Sequence, residues 1–427
     1  MMLVVQKYGG SSLQSIERIK RVAERVRQTR RDGHDVAVVC SAMGDTSDEL
    51  IELAGQVSQA PPARELDMLL TTGERASNAL LAMAVDALGV RARSFSGGQA
   101  GVRTDSAHGR ARIVEVDPAR IRAALDQGTV ALVAGFQGIS AETGDVTTLG
   151  RGGSDITAVA LAAGLKADIC EIYTDVDGVF SADPRVVPHA RLLPSVSYEE
   201  MLEMAAGGAK ILMTRCVEYA RRHQVPLHVR SSYTDACGTF VTGSATEPTE
   251  LPALPAPGDP ASPVVVGIAH TRAVTLLTVE PVHEAGAAEI AALLARAGIP
   301  ADPAPRLREG SQSAQLTFAV AESDARQAVT LLRDQQDRLG FDRLHQDTGF
   351  GRISAVGAGL RSRPDAVSTF FRTLAEAGIE VGFLSASGIR ISGICRADQL
   401  EEAVRTLHSG FGLDSETTAA VYAGTGR

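Results

Sequence analysis

No apolar run in this 427-residue chain approaches the roughly 18 residues that a membrane-crossing helix needs, and Leu3, Val4 and Val5 are too few for a secretion signal. No membrane partner is therefore expected. Cysteine is sparse: Cys40, Cys170, Cys216, Cys237 and Cys395 are odd in number and never spaced as metal pairs, which points to a reducing cytoplasm. No basic run offsets the net charge of −9, so nucleic acid is not an expected partner either. A phosphate loop ending in Gly-Lys-Ser/Thr is missing. So is a glycine fingerprint after the first strand with an acid about 20 residues on, which counts against a dinucleotide-dependent oxidoreductase. No Ser-His or Cys-His pair stands out as a nucleophile with its base.

What is present begins with VVQKYGGSSL, residues 4–13: a strand-like run, a lone lysine, two glycines and two serines. IERIKRVAERVRQ follows with helical periodicity at Ile16, Ile19, Val22, Ala23 and Val26. Gly9 and Gly10 let backbone N–H groups approach an anion, and a following helix offers it a positive end. An ordinary strand-to-helix turn explains the same residues.

Up to about residue 240, strand-like runs (35–43, 90–97, 128–136, 167–176, 225–232) alternate with helical patterns. That alternation predicts an α/β domain over 1–242, a mostly parallel sheet sandwiched by helices. Residues 243–262 read as an extended proline-rich linker, since six of the 18 prolines crowd positions 248–263. Beyond it, LLARAGI (293–299) is echoed by TLAEAGI (373–379), each between strand-like runs. Two ferredoxin-like βαββα modules are expected, over 263–345 and 346–427, with the leading strand 263–269 a candidate to pair with the second. They carry few reactive groups, which suits binding and regulation.

Ligands of an open α/β sheet collect at the carboxyl ends of its strands. Four loops there are polar and glycine-rich: KYGGSS; CSAMGDTSDEL with Ser41, Thr46 and Ser47; the long loop 135–155 with Arg151, Ser154 and Asp155; and YTDVDGVFSADPR with Thr174, Asp175, Ser181, Asp183 and Arg185. TTGERAS presents Glu74 at an expected helix start. Each has a plain reading as cap, turn or flexible linker. Together they supply Lys7, Arg151, Arg185, amides and hydroxyls for a polyphosphate and a carboxylate, with Asp155, Asp175 and Asp183 as carboxylates for Mg²⁺. A carboxylate acceptor is already ionised at neutral pH, so its phosphorylation needs no general base.

KYGGSS, SAMGDTSDEL, TTGE, TTLGRGGSD, YTDVDGVFSADPR and GGAKIL, in that order, resemble the aspartate kinases of the amino-acid kinase family, and the C-terminal repeats resemble its paired ACT modules. Tyr8 departs from the phenylalanine usual there. The resemblance implies transfer of the ATP γ-phosphoryl group to the β-carboxylate of L-aspartate. Lys7 and Asp155 would be catalytic, with Asp155 the Mg²⁺ ligand, mainly through ATP phosphates. Ser41, Thr46, Ser47, Glu74, Arg151 and Ser154 would hold aspartate; Gly9, Gly10, Thr174, Asp175, Ser181, Asp183, Arg185 and Lys210 would hold the nucleotide. It also implies lysine and threonine as effectors and a homodimer or larger homo-oligomer through the ACT modules. Two rivals stand beside this reading. One is a kinase of the same family for another small acid. The other is an amino-acid sensor with a vestigial kinase domain, which should have lost the lysine or the acids and has not.

Overall fold

The computed structural model describes residues 1–243, 264–282, 284–307, 314–360 and 363–423. They form two compact units: residues 1–206, 210–243 and 415–423 in the first, 207–209 with the described part of 264–414 in the second. The expected proline-rich linker lies outside the described residues but for Gly243.

The first unit is built on an eight-stranded sheet. Its spatial order is Ser195–Ser197, Thr239–Thr242, Leu227–Ser231, Ile169–Thr174, Leu3–Tyr8, Asp35–Cys40, Val130–Ala134, Ala92–Phe95. The last six are parallel, while Thr239–Thr242 runs against Leu227–Ser231 and Ser195–Ser197 runs with Thr239–Thr242. Leu3–Tyr8 is buried along its whole length, as a strand covered on both faces must be. Alternation sends Tyr8 into the core with Ile19, Val22, Ala23 and Val26 of the helix Ile16–Arg31. It sends Lys7 to the other face. Ser15 caps that helix by accepting the N–H of Arg18 at 3.3 Å, with Glu17 in the first turn and Arg30 and Arg31 in the last, which suits the helix dipole.

Two local expectations change. The stretch 135–155 is not simply a loop: Gln137–Ser140 and Val146–Thr148 form an antiparallel pair in a four-stranded sheet with Val102–Thr104 and Ile113–Val116. These strands are only three or four residues long, too short to give a periodic signal. Glu74 is not at a helix start either. It lies inside the 24-residue helix Ala63–Asp86, which begins upstream after Pro62. Gly73 is there for close approach: a Cβ would come within 2.9 Å of the Ala42 Cβ.

The second unit is one six-stranded sheet in the order Asp302–Leu307, Ala314–Ala321, Gly267–Val282, Arg343–Val356, Arg390–Arg396, Gly382–Ala386. Each half is a βαββα module, with the helices Glu284–Arg296 and Glu322–Asp334 in the first half and Pro364–Glu376 and Leu400–Gly410 in the second. Gly267–Val282 joins them: Val274–Val282 pairs with Ala314–Ala321, and the strand as a whole runs antiparallel to Arg343–Val356. Gly267–Thr271 lies opposite Arg352–Val356 of the second module. Asp302–Leu307, which contains Pro303 and Pro305, takes an edge, where missing N–H groups cost least.

The tail departs from the sequence reading, which ran the second module to residue 427. Residues 415–423 belong to the first unit, held by backbone bonds from Ser415 to His189 (2.8 Å) and from Tyr422 to Asp175 (2.9 Å). The helical period ends at Gly410, so no pattern beyond it tells where the chain goes.

Candidate active site

Lys7 stands one residue before the end of its strand and points at the first turn of the helix Gly153–Leu165. Its Nζ lies 2.5 Å from Asp155 Oδ1, and both side chains are almost fully buried. Gly9 and Gly10 follow. A Cβ on Gly10 would sit 2.8 Å from the Gly44 carbonyl oxygen, so only glycine lets the first and second loops lie together there, and the Gly44 N–H donates to Gly10 O at 3.1 Å. At the next strand end Gly135 presses on Ser154: a Cβ would lie 2.9 Å from its Cβ and Oγ. Gly152, with φ at +71°, turns the chain into the helix. The positive end of that helix, Lys7 and the glycine turn thus share one end of the sheet.

Beside them Glu74 is 3% exposed, and its Oε2 has no hydrogen-bond partner among the described residues. Desolvation pushes its carboxyl up to about 7, against hydrogen bonds from backbone N–H groups that include that of Ala42. The neighbouring Ser77 hydroxyl donates to Ser41 O at 2.6 Å and fixes the helix against the loop carrying Ser41. Burial also raises the Cys40 thiol, with the Glu74 charge adding to it, so that thiol stays protonated and inert.

The other predicted residues sort plainly. Thr46 and Ser47 open the helix Thr46–Val57, where the Thr46 hydroxyl donates to Met43 O at 2.7 Å. Arg151 is exposed just before Gly152. Thr174, Asp175, Ser181, Asp183 and Arg185 lie in one stretch after the strand Ile169–Thr174. There the buried Ser181 hydroxyl accepts from the Arg191 N–H at 2.8 Å, and Asp183 accepts from the Arg185 N–H at 2.9 Å. Lys210 is exposed after the helix Tyr198–Ala206. The structure gathers Lys7, Gly9, Gly10, Ser41, Glu74, Ser154 and Asp155 around the meeting of three loops. The stretch 174–185 is a second cluster, tied to the first where Gly9 N–H reaches Tyr173 O and the Ser232 hydroxyl links Ser12 to Thr174 O.

Sequence reasoning missed Asp67. It is buried two turns before Glu74 on the same helix face and accepts from Thr148 N–H (3.1 Å), Thr148 Oγ1 (2.5 Å) and Gly109 N–H (3.1 Å), with His108 Nδ1 at 2.8 Å. It fastens the hairpin that leads to Arg151 and Ser154. The seven-residue spacing from Glu74 was the available signal. Asp67→Ala would strand these buried donors and should lower stability by about 2–4 kcal/mol, read as a fall in thermal midpoint; an unchanged midpoint would show that the clasp carries no weight.

The amino acid kinase family model matches residues 2–231, and an ACT domain model matches residues 353–411. The aspartokinase of Mycolicibacterium smegmatis is 52% identical over 433 residues, covering all of both chains, and that of Corynebacterium glutamicum is 51% identical with the same coverage. Among solved structures, E. coli aspartokinase III in complex with aspartate and ADP superposes with a TM-score of 0.80 at 25% identity, over 96% of this chain and 99% of that one. With a lysine and an acid paired beside a glycine turn, a family model matched over residues 2–231, and aspartokinases 52% identical over the full length, the chain belongs to the aspartokinases of the amino acid kinase family, with an ACT domain in its C-terminal part.

Proposed function

We propose that the chain transfers the γ-phosphoryl group of ATP to the β-carboxylate of L-aspartate, giving 4-phospho-L-aspartate and ADP. The observation that carries this reading is the buried Lys7–Asp155 pair at the sheet end, with the Glu74 carboxyl, whose Oε2 has no hydrogen-bond partner among the described residues, nearby. Lys7 meets the equatorial oxygens of the group in flight, and the Gly9–Gly10 turn cradles it. Glu74 takes the substrate ammonium, and Arg151 with Ser41, Thr46, Ser47 and Ser154 orients its carboxylates. Thr174, Asp175, Ser181, Asp183, Arg185 and Lys210 hold the nucleotide.

Among the described residues no group of three or more His, Cys, Asp or Glu side chains could hold a metal. A lone carboxylate at the cradle, Asp155, suits a hydrated Mg²⁺ held mainly by nucleotide phosphates, which when bound neutralises charge on the β- and γ-phosphates. The acceptor oxygen bonds to phosphorus as the bond to ADP breaks, and no proton has to move. Trapping with hydroxylamine tests the reading: aspartyl hydroxamate should form only with ATP and aspartate together. Formation from another small acid instead would overturn it.

The product is the entry compound for lysine, threonine, methionine and related metabolites, and we place the enzyme in the cytoplasm as a homodimer or homo-oligomer through its ACT modules. Feedback by lysine and threonine is weakened on this reading. Three prolines, 300, 303 and 305, crowd the segment after the first module's helix, and Asp302 there is taken by Arg352 at 2.6 Å. Of the threonine-threonine-aspartate usual ahead of the next strand, this chain has Ser313, outside the described residues, Ala314 and Gln315. Gly388 stands where a glutamate is common, although a Cβ there would meet nothing within 4 Å, so the missing carboxylate is not a matter of space. A lost carboxylate partner for an effector ammonium costs about 2 kcal/mol, roughly 30-fold in affinity. Titration of activity with lysine and threonine, singly and together, should give inhibition only at millimolar levels. Concerted inhibition well below that would refute the weakening.

A further inference from the structure

The tail 415–423 crosses the stretch 174–189 at both ends. At one end the N–H groups of Ser415 and Ala419 donate to the carbonyls of His189 and Pro188, each at 2.8 Å. At the other, Val421 bridges Val176 in antiparallel fashion, the Tyr422 N–H donates to Asp175 O at 2.9 Å, and the Tyr422 hydroxyl donates to Asp177 Oδ2 at 3.0 Å. The other oxygen of Asp177 accepts from the Thr234 hydroxyl at 2.5 Å. Thr174, Asp175, Ser181, Asp183 and Arg185 all fall on the bracketed stretch. The contacts also continue toward the phosphate cradle. The Tyr422 ring stacks on Tyr233, with centroids 5.6 Å apart and planes 14° apart. The Tyr233 hydroxyl donates to Ser11 O at 3.1 Å, and the Arg18 guanidinium lies 3.5 Å from the Tyr233 ring centre.

We infer that the tail is a strap that keeps the 174–189 stretch in its nucleotide-binding shape, with Tyr422 as a positioning residue for ATP; this rests on the reading of that stretch as the nucleotide site. The stretch holds no regular helix or strand: its own backbone bonds are chiefly a turn at Asp183 and a short pairing of Val179–Ser181 with Arg191–Leu193, and the tail adds contacts at both of its ends. Without the strap it samples other shapes, and apparent affinity falls by the fraction of time it is competent. The strap follows the second module in the chain, yet residues 415–422 contact the stretch read as the nucleotide site.

Three full-length variants and one truncation test it, with ADP binding by titration calorimetry and KM for ATP and for aspartate as readouts. Tyr422→Ala should weaken ADP binding and raise KM for ATP by about tenfold, with KM for aspartate within about twofold of wild type and the thermal midpoint nearly unchanged, because Tyr422 is 37% exposed. Tyr422→Phe, which keeps the stacking and loses the hydroxyl's contacts with Asp177 and Thr234, should fall between. Ending the chain after Asp414 should match or exceed Tyr422→Ala. Asp175→Ala separates the two ideas. If it weakens ADP binding while the Tyr422 variants and the truncation do not, the strap is refuted. If Asp175→Ala binds ADP like wild type, the nucleotide reading fails and the strap with it. Equal losses for ATP and aspartate, together with a lowered midpoint, would reduce the tail to general support and also overturn the proposal.

Discussion

Replacing Lys7 by Met should lower kcat by about a hundredfold or more, with the KM values for ATP and aspartate moving only a few-fold. The ammonium sits where the sheet end, the glycine turn and the start of the helix Gly153–Leu165 converge, and in the proposed reaction its interaction would grow as charge spreads over the phosphoryl group in flight. An interaction made mainly in the transition state is lost from kcat. The substitution has a second effect. It leaves the Asp155 carboxylate, 4% exposed, without its cation, and an orphaned buried charge destabilises by several kcal/mol, about 3–5 in comparable cases. Lys7→Met combined with Asp155→Asn should recover much of that stability and none of the turnover, which separates folding from chemistry. Steady-state kinetics on protein with a native circular dichroism spectrum decides the matter. Turnover near wild type in either folded variant would remove Lys7 from the catalytic role.

Glu74 should impose an acid limb on kcat/KM for aspartate, with a midpoint near pH 7, because that quantity reports ionisations of the free enzyme and burial has pushed this carboxyl up to about 7. Below the midpoint the substrate ammonium meets a neutral acid, and kcat/KM should fall about tenfold per pH unit. Glu74→Gln should flatten the limb and cost about a hundredfold at pH 8. Its effect on stability should have the opposite sign. The folded protein holds this proton more tightly than the unfolded chain, whose carboxyl titrates near 4.5, so the stabilisation is complete below about pH 4.5 and is lost as the pH rises through about 7. A shift from 4.5 to about 7 corresponds to about 3 kcal/mol above that pH. Glu74→Gln should therefore raise the thermal midpoint by a few degrees at pH 8 and very little at pH 4. A pH-independent kcat/KM in the wild type, or a Gln variant less stable at pH 8, would count against an unpaired buried carboxylate waiting for a cation.

Long-period features were legible in the sequence. Six of the eight strands of the large sheet fall in strand-like runs of the sequence, and the repeat of LLARAGI in TLAEAGI marks the two βαββα modules. The place of Lys7, Gly9 and Gly10 at the end of the first strand was readable from the apolar run that precedes them. What escaped is what depends on distant partners. Ser195–Ser197 and the strands of the four-stranded sheet owe their conformation to the neighbours they pair with, not to a pattern of their own. Glu74 was placed at a helix start because Thr-Thr-Gly looks like a cap. Tertiary contact with Ala42, which requires Gly73, overrides that local signal. Asp67 and Tyr422 bind groups 81 and 245 residues away, separations at which local spacing carries no information.

The single strand Gly267–Val282 runs through both βαββα modules, its first residues opposite the second module and its later ones within the first. A crossover in the gene anywhere between the modules would give the hybrid a strand from one parent and a partner surface from the other, with sixteen residues of side-chain alternation to match at once. The two modules are therefore expected to be inherited as one cassette. Variation in what it senses should accumulate by point substitution within it, not by shuffling its halves.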